Sequence, residues 1–360
     1  MQLDTPQTEK QSKPLTQDEN PSSTGDYLEI TRTRRETPSD ITIIPVQSKR
    51  EKKEFVDFPW NIYSKLNDSN WVPPLKLSVY EMLDTKKNPF YKRAEIQLFL
   101  AKQNGKTVGR IAAIENQAHN EHHNEKAGHY GFFECIDDQD VANALFNSAE
   151  NWLRARGLTK MLGPMSPSTN HECGLLVRGQ RQHQTIQTTW NPKYYQTLHE
   201  KAGLQKAKDL VAYWLPTGMI DQLPERVTKV ADRCRKSERI TFRSLDLKNF
   251  DREIDLCFEI YNSAWEKNWG FFPMTQEEFK FAAKEMKMII DTRFAFIAEQ
   301  DGKAAGFMLA VPDINHILKR IPNGKLLPTG IFKLLLGKRL LKTVRIIALG
   351  VKPEFRNKGI

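Results

Sequence analysis

The chain has 360 residues, 39% of them hydrophobic, and 54 Lys and Arg against 44 Asp and Glu give a formal net charge of +10. No run approaches the ~20 apolar residues of a membrane span, the start MQLDTPQTEKQSKP lacks the apolar stretch of a secretory signal, and the four cysteines lie far apart with no C-x-x-C pair. These features argue against a membrane-spanning protein, a disulfide framework and a cysteine zinc site, and leave a cytoplasmic globular protein with reduced thiols whose positive charge favours polyanionic partners, nucleotide or RNA alike.

Residues 1–39 are rich in Gln, Thr, Ser, Pro, Lys and Glu and lack aliphatic periodicity, so they are expected to be a disordered tail. Order begins at 41–46 (ITIIPV), a short strand that Pro45 assigns to a sheet edge. Phe55, Phe58, Ile62 and Leu66 recur at helical spacing over 53–66, with Pro59 as an interruption. Trp71, Pro73, Pro74 and Leu77 then form a crossing loop over a core.

A repeat organises the remainder of the chain. Residues 99–113 read FLAKQNGKTVGRIAA and residues 296–310 read FIAEQDGKAAGFMLA, aligned without a gap. Each is a strand, an Asn-Gly or Asp-Gly turn that supplies positive φ, and a second strand, which makes a β-hairpin. Gly109 and Gly306 coincide as well, so the chain is expected to carry one fold twice.

In the first copy the hairpin is followed by a polar, histidine-rich stretch with His119, His122, His123 and His129, which fits no closed zinc spacing and reads as a solvated loop, so no metal is expected. A strand over 130–136 and a helix over 137–156 come next, the helix capped by Asp137, Asp138 and Asp140 and closed by Gly157. Those carboxylates would repel a pyrophosphate, so this copy reads as one that kept the fold and lost the nucleotide. A strand over 160–165 enters 166–179, where Asn170, His171, Glu172 and Cys173 have acid–base and nucleophilic chemistry but no triad partner by spacing. That segment reads as a buried inter-strand connection. A helix over 191–204 and a strand over 210–215 close the first domain near residue 216, giving domains 40–216 and 217–360.

The second copy opens with a linking helix over 224–236, a strand over 240–245 and a helix over 250–267. Thr275 and Glu278 form a capping box for a helix to about 290, and the hairpin and a basic, Leu-rich insertion over 317–341 come after it. The terminal strand, ending in Ala348, Leu349, Gly350 and Val351, delivers a basic turn of Arg356, Asn357, Lys358, Gly359 and Ile360. Successive backbone amides in such a turn suit a pyrophosphate, and the glycine lets it approach.

Val351, Pro353, Arg356 and Gly359 resemble the cofactor motif of the acyl-CoA N-acyltransferases of the GNAT superfamily, Q/R-x-x-G-x-G/A after a strand with V-x-P. The order of hairpin, strand and helix is similar to that family in both copies, from about residue 41 to the end. The resemblance implies an α/β fold of two tandem GNAT-like units, each a mixed sheet flanked by helices, with the second incomplete because the chain stops at Ile360 before the motif's helix. It implies acyl transfer, most simply acetyl, from acetyl-CoA as co-substrate to a small-molecule or peptide amine, with no catalytic residue named and no membrane partner. The pantetheine arm would run along Ala348 to Val351, the pyrophosphate would sit on residues 356–360, and Asn262, Trp265, Asn268 and Trp269 would line the acceptor groove. Peptidoglycan-bridge aminoacyltransferases also pair two such units and use aminoacyl-tRNA, which the basic insertion would suit. A non-catalytic binding protein on the same fold is the third reading.

Overall fold

The two halves of the chain build four successive strands in the same order and the same register around the hairpin. The computed structural model describes residues 40–66, 69–337 and 340–357, so the expected tail and Lys358, Gly359 and Ile360 of the basic turn lie outside the described residues. In the first half come β1 (Ile41–Pro45), α1 (Lys49–Tyr63), α2 (Lys76–Met82), β2 (Ala94–Gln103), β3 (Lys106–Asn116), α3 (Gln117–His123), β4 (Ala127–Cys135), α4 (Gln139–Arg154) and β5 (Lys160–Leu162). They form a sheet of order β1-β2-β3-β4-β5 in which β4 and β5 are parallel, joined by the α4 crossover. A small hairpin of β6 (Met165–Ser166) and β7 (Glu172–Cys173), then α5 (Tyr194–Lys201) and α6 (Glu225–Arg235), lead into the second half. There β8 (Ile240–Ser244), α7 (Phe250–Trp265), α8 (Gln276–Met286), β9 (Ala295–Gln300), β10 (Lys303–Pro312), α9 (Asn315–Leu318), α10 (Gly330–Gly337) and β11 (Val344–Val351) give a sheet of order β8-β9-β10-β11. The α/β class is as expected, but the second sheet is antiparallel throughout the described residues rather than mixed.

The correspondence goes down to single residues. Asn104 and Gly105 turn the first hairpin at φ of 49° and 75°, and Asp301 and Gly302 turn the second at 50° and 73°. The register slips once beyond each turn, leaving Val108 in one copy and Ala305 in the other without an opposite residue. The next strand begins with the same two pairs, Gly109 facing Cys135 as Gly306 faces Val351 and Arg110 facing Glu134 as Phe307 faces Gly350, after which the two ladders slip at different places. Even the exit bond repeats, Ile136 N–H donating to Val108 C=O at 3.0 Å and Lys352 N–H to Ala305 C=O at 2.9 Å. Gly109 and Gly306 both sit at close approaches, a Cβ lying 2.7 Å from the Leu145 methyl in the first and 2.7 Å from the Gly350 carbonyl in the second.

Helix boundaries follow their caps. Ser48 and Glu51 make a reciprocal capping box that starts α1 before the periodic apolar residues begin, and Pro59 is accommodated within it. The Asp138 carboxylate accepts from the Asp140 and Val141 amides to start α4, and Thr275 with Glu278 starts α8 as expected. Helix α4 packs Val141, Leu145, Ala149 and Leu153 on one side of the first sheet, while Phe55 and Val56 of α1 cover Leu98, Leu100 and Ile114 on the other. In the second half Ile254, Cys257 and Ile260 of α7 pack on Ile297, Phe307 and Leu309.

Two expectations are corrected. Residues 210–215 form no strand: Leu210, Val211, Tyr213, Trp214 and Leu215 are exposed and meet no sheet edge, and β-propensity without a partner does not make a strand. The histidine-rich stretch is no solvated loop. The Asn116 side chain caps α3, and His119 and His129 are each 2% exposed and packed ring against ring, with the loop after α7 placing Phe272 against His119 and the Phe271 carbonyl 2.8 Å from His123 Nε2. Phe272 itself is buried among Phe55, Leu98 and Ile114, so the second half is pinned into the core of the first.

Candidate functional site

β11 is the edge strand of the second sheet: β10 lies on one side, and no strand lies on the other among the described residues. Its ladder slips midway. Leu309 faces Ala348 but Ala310 faces Ile346, leaving Ile347 as a bulge that interrupts the pairing and turns the strand. Of the residues expected along a pantetheine arm, Ala348 and Gly350 are buried, Val351 is half-buried and Leu349 is exposed. The Arg356 guanidinium folds back, Nε donating to the Val351 carbonyl at 3.1 Å and Nη2 to the Ala264 carbonyl at 2.9 Å. It thereby ties the strand's exit to the end of α7, with Asn357 left-handed behind it at φ 61°.

The residues expected at the acceptor groove fall into two groups. Trp265 lies across Gly350, stacks on Tyr261 at 4.8 Å and reaches Phe307. Asn262, also on α7, donates to the Met274 carbonyl at 3.2 Å and keeps a buried Oδ1 without a hydrogen-bond partner. Asn268 and Trp269 lie in the docking loop instead. The Asn268 amide and carbonyl bond Trp265 and Phe271, and Gly270, two residues on, accepts from Thr169 Oγ1 at 2.7 Å.

That contact belongs to the seam between the halves, built mainly by 166–191. Tyr261 Oη donates to Asn170 Oδ1 at 2.9 Å, and Arg345 at the start of β11 donates to the Ile186 carbonyl. Opposite Arg345 is Glu172 on β7, where burial raises the carboxyl to about 7 against the pull of that arginine. Burial also raises the neighbouring Cys173 thiol, with the Glu172 charge adding to it, and lowers His171 to about 4; His171 Nδ1 is 2.9 Å from Ser168 Oγ. The segment was expected to be a buried inter-strand connection; it is instead a small hairpin, half-buried at residues 170–173, with one carboxyl poised near neutrality.

A cluster beside it was not legible. Asp313, fully buried just after β10, accepts through Oδ1 from the Ile186 amide at 2.9 Å and the Asn315 amide at 3.3 Å. Its Oδ2 has no donor within hydrogen-bond distance, and faces His316 Nε2 at 3.7 Å and His183 Nε2 at 3.9 Å, two imidazoles stacked 4.1 Å apart. Burial, then the His316 charge, lowers His183. Only the Asp313-x-x-His316 spacing was available as a signal, since His183 comes from the other half of the chain.

The same strand position in the first half is plugged. Glu134, the counterpart of Gly350, is held by Tyr63 Oη at 2.8 Å, Tyr195 Oη at 2.7 Å and Arg110 Nη2 at 3.6 Å. Tyr195 Oη also accepts from the Cys135 amide and Tyr194 Oη donates to the Cys135 carbonyl, so the groups at the strand's exit are spent on α5.

No family model matches the sequence. A solved structure titled as a tandem GNAT protein from the clavulanic acid biosynthesis pathway, without AcCoA, is similar with a TM-score of 0.46 at 10% identity, over 88% of this chain and 81% of that one. Protein YghO of Escherichia coli strain K12 is 34% identical over 311 residues, 86% of this chain and 78% of that protein. The bacterial ceramide synthase of Caulobacter vibrioides is 39% identical over 324 residues, 89% of this chain and 83% of that protein. The chain belongs to the family of these two proteins, the bacterial ceramide synthase and YghO.

Proposed function

We propose that the chain is an N-acyltransferase that moves a long acyl group from acyl-CoA to the amine of a long-chain lipid base. The observation that carries this reading is an asymmetry between two corresponding strand positions: the first is held by Glu134 and its tyrosines and tied to α5, whereas the second is Gly350, a glycine under the Trp265 indole on a strand whose outer edge is unpaired among the described residues. The division near residue 216 then separates a supporting unit from an acyl-CoA-binding one. A thioester laid along β11 would put its pantetheine arm beside residues 348–351 and its phosphates near the Arg356 guanidinium. The bulge at Ile347 frees backbone groups to hold the reacting carbonyl.

The amine would arrive from the Arg345 end, where the seam places Glu172. A neutral amine attacks the thioester carbon, the C–N bond forms as the C–S bond breaks, the thiolate leaves to be protonated, and the proton shed by nitrogen goes to the Glu172 carboxylate. Acetyl as the simplest group gives way to a long chain because of the Caulobacter relative's name: a ceramide is the amide of a fatty acid with a sphingoid amine.

The test is release of free CoA thiol by the purified chain offered acetyl-CoA or hexadecanoyl-CoA, with a sphingoid base or a short amine. Amide formation restricted to the long acyl donor and the lipid amine is expected. Turnover of acetyl-CoA with short amines alone would replace this reading with an acetyltransferase, and no amide from any pair would remove it.

A further inference from the structure

The insertion between β10 and β11 has a face that the rest of the described fold does not use. Helix α10, GIFKLLLG, is apolar except for Lys333. Gly330, Leu334 and Gly337 point inward onto α9 and the turn after it, so closely that a Cβ on Gly337 would lie 3.0 Å from Ile317 and one on Gly330 would lie 3.2 Å from Ile321. Phe332, Leu335 and Leu336, at spacings of three and four, form the opposite stripe and are 63, 60 and 75% exposed. Leu327 and Leu340 flank the helix, 72 and 77% exposed. An apolar stripe on each side of a helix is expected to be covered twice, and among the described residues protein covers only one.

Charge identifies the occupant. From residue 314 to residue 353 the sequence contains no Asp or Glu, while Lys319, Arg320, Lys325, Lys333 and Lys342 surround the helix. The root of the insertion is fixed: Trp60 Nε1 donates to the Pro322 carbonyl at 2.6 Å and the Lys76 amide to the Gly324 carbonyl at 2.9 Å. The apolar stripe is thus presented on a rigid base bridging both halves, with a cationic rim. No helix among the described residues is long and apolar enough to cross a membrane, so the helix could only lie on one.

We propose that α10 and its flanks dock the protein on the surface of an anionic phospholipid bilayer, the leucines and Phe332 entering the acyl boundary and the lysines meeting lipid phosphates. This deepens the lipid-substrate reading but stands on the insertion alone. Water-insoluble amines and acyl chains reach such a surface by lateral diffusion, and α10 lies in the connection to β11, the strand proposed to bind the thioester.

Flotation with vesicles tests it without substrate. Vesicles of phosphatidylcholine with phosphatidylglycerol should carry the full chain upward, vesicles of phosphatidylcholine alone should carry much less, and high salt should weaken the first. The double variant Phe332→Ser, Leu336→Ser should lose at least about tenfold in vesicle affinity while keeping its melting temperature, because both side chains are already solvent-exposed. Lys325→Gln with Lys342→Gln should reduce binding to the anionic vesicles alone. No flotation with either lipid, or flotation unaffected by the apolar variant, would overturn docking through α10. Concentration-dependent dimers abolished by that variant would show that a second copy covers the face, and saturable tRNA binding without vesicle binding would assign the basic rim to RNA; each would equally overturn the proposal. Since no turnover is measured, failure of acyl transfer leaves this result standing.

Discussion

Gly350 has no side chain because Trp265 occupies its place: a Cβ there would lie 2.3 Å from Cζ3 of the indole and 2.8 Å from the Ala264 methyl. The six-membered ring of the indole meets the strand that the second sheet leaves open, with Tyr261 stacked on it. Gly350→Ala is therefore expected to cost about 1–3 kcal/mol, since neither the strand nor a stacked indole can retreat cheaply. In a Trp265→Ala background the cost should fall clearly, though not to zero while Ala264 remains. Urea denaturation of the two single variants and the double variant gives the coupling, and additivity within error would show that the two residues do not constrain each other.

The counterpart pair in the first half makes the opposite prediction. Burial raises the Glu134 carboxyl and lowers the Arg110 guanidinium, each move being toward the uncharged form, so desolvation outweighs their attraction. Removing one partner strands the other: Glu134→Ala should cost about 3–5 kcal/mol, while Arg110→Met with Glu134→Leu should recover much of it. Thermal melts of the three variants decide between this and a purely stabilising ion pair, for which the double variant would be at least as damaged as either single one.

The repeat was legible because hairpin chemistry is local. An Asn-Gly or Asp-Gly turn with glycine four residues on fixes two strands, one slip and a close approach, and Asn104, Asp301, Gly109 and Gly306 each do in space what their spacing implied. Caps were readable for the same reason, as Thr275 and Glu278 illustrate. What failed depended on distant partners. The histidines looked solvated because Phe271 and Phe272, which meet His123 and His119, lie more than a hundred residues away, and residues 210–215 looked like a strand because their composition cannot report a missing edge. The candidate site divides in the same way. Trp265, Gly350 and Arg356 could be found from the elements they end, whereas Asp313, His183 and His316 meet only across the seam.

Three desolvated histidines, His129 and His199 buried and His171 half-buried, contribute to the response to acid. Burial holds His129 down to about 3 and His171 and His199 down to about 4, so the fold favours their neutral forms. A group whose folded pKa is depressed contributes its full stability above the unfolded value near 6.5 and loses it as pH falls toward the folded one. Urea midpoints should therefore drop steeply between about pH 6 and 4, with a limiting slope of about 4 kcal/mol per pH unit if all three act together. Both ring nitrogens of His129 lack hydrogen-bond partners, so His129→Leu sacrifices no bond and should flatten that slope by about a third. An unchanged slope in the variant would place the acid sensitivity elsewhere.

Glu172 separates stability from chemistry because the two respond to pH in opposite senses. Its folded value of about 7 is raised by burial, so the fold favours the protonated carboxyl, and the stability it contributes is full below the ordinary carboxylate range and lost as pH rises through 7. Glu172→Gln, neutral at every pH, should match the wild type near pH 4.5 and exceed it at pH 8 by at most ~3 kcal/mol, less to the extent that water reaches the carboxyl. A base in amine acylation must instead be ionised. Wild-type kcat/KM should rise through about pH 7, and the variant should lose both that limb and about 10²–10⁴ in rate despite its higher melting temperature. A more stable variant that keeps the limb would relieve Glu172 of the proton and direct attention across the seam to His183 and His316, whose ring nitrogens face the free oxygen of Asp313.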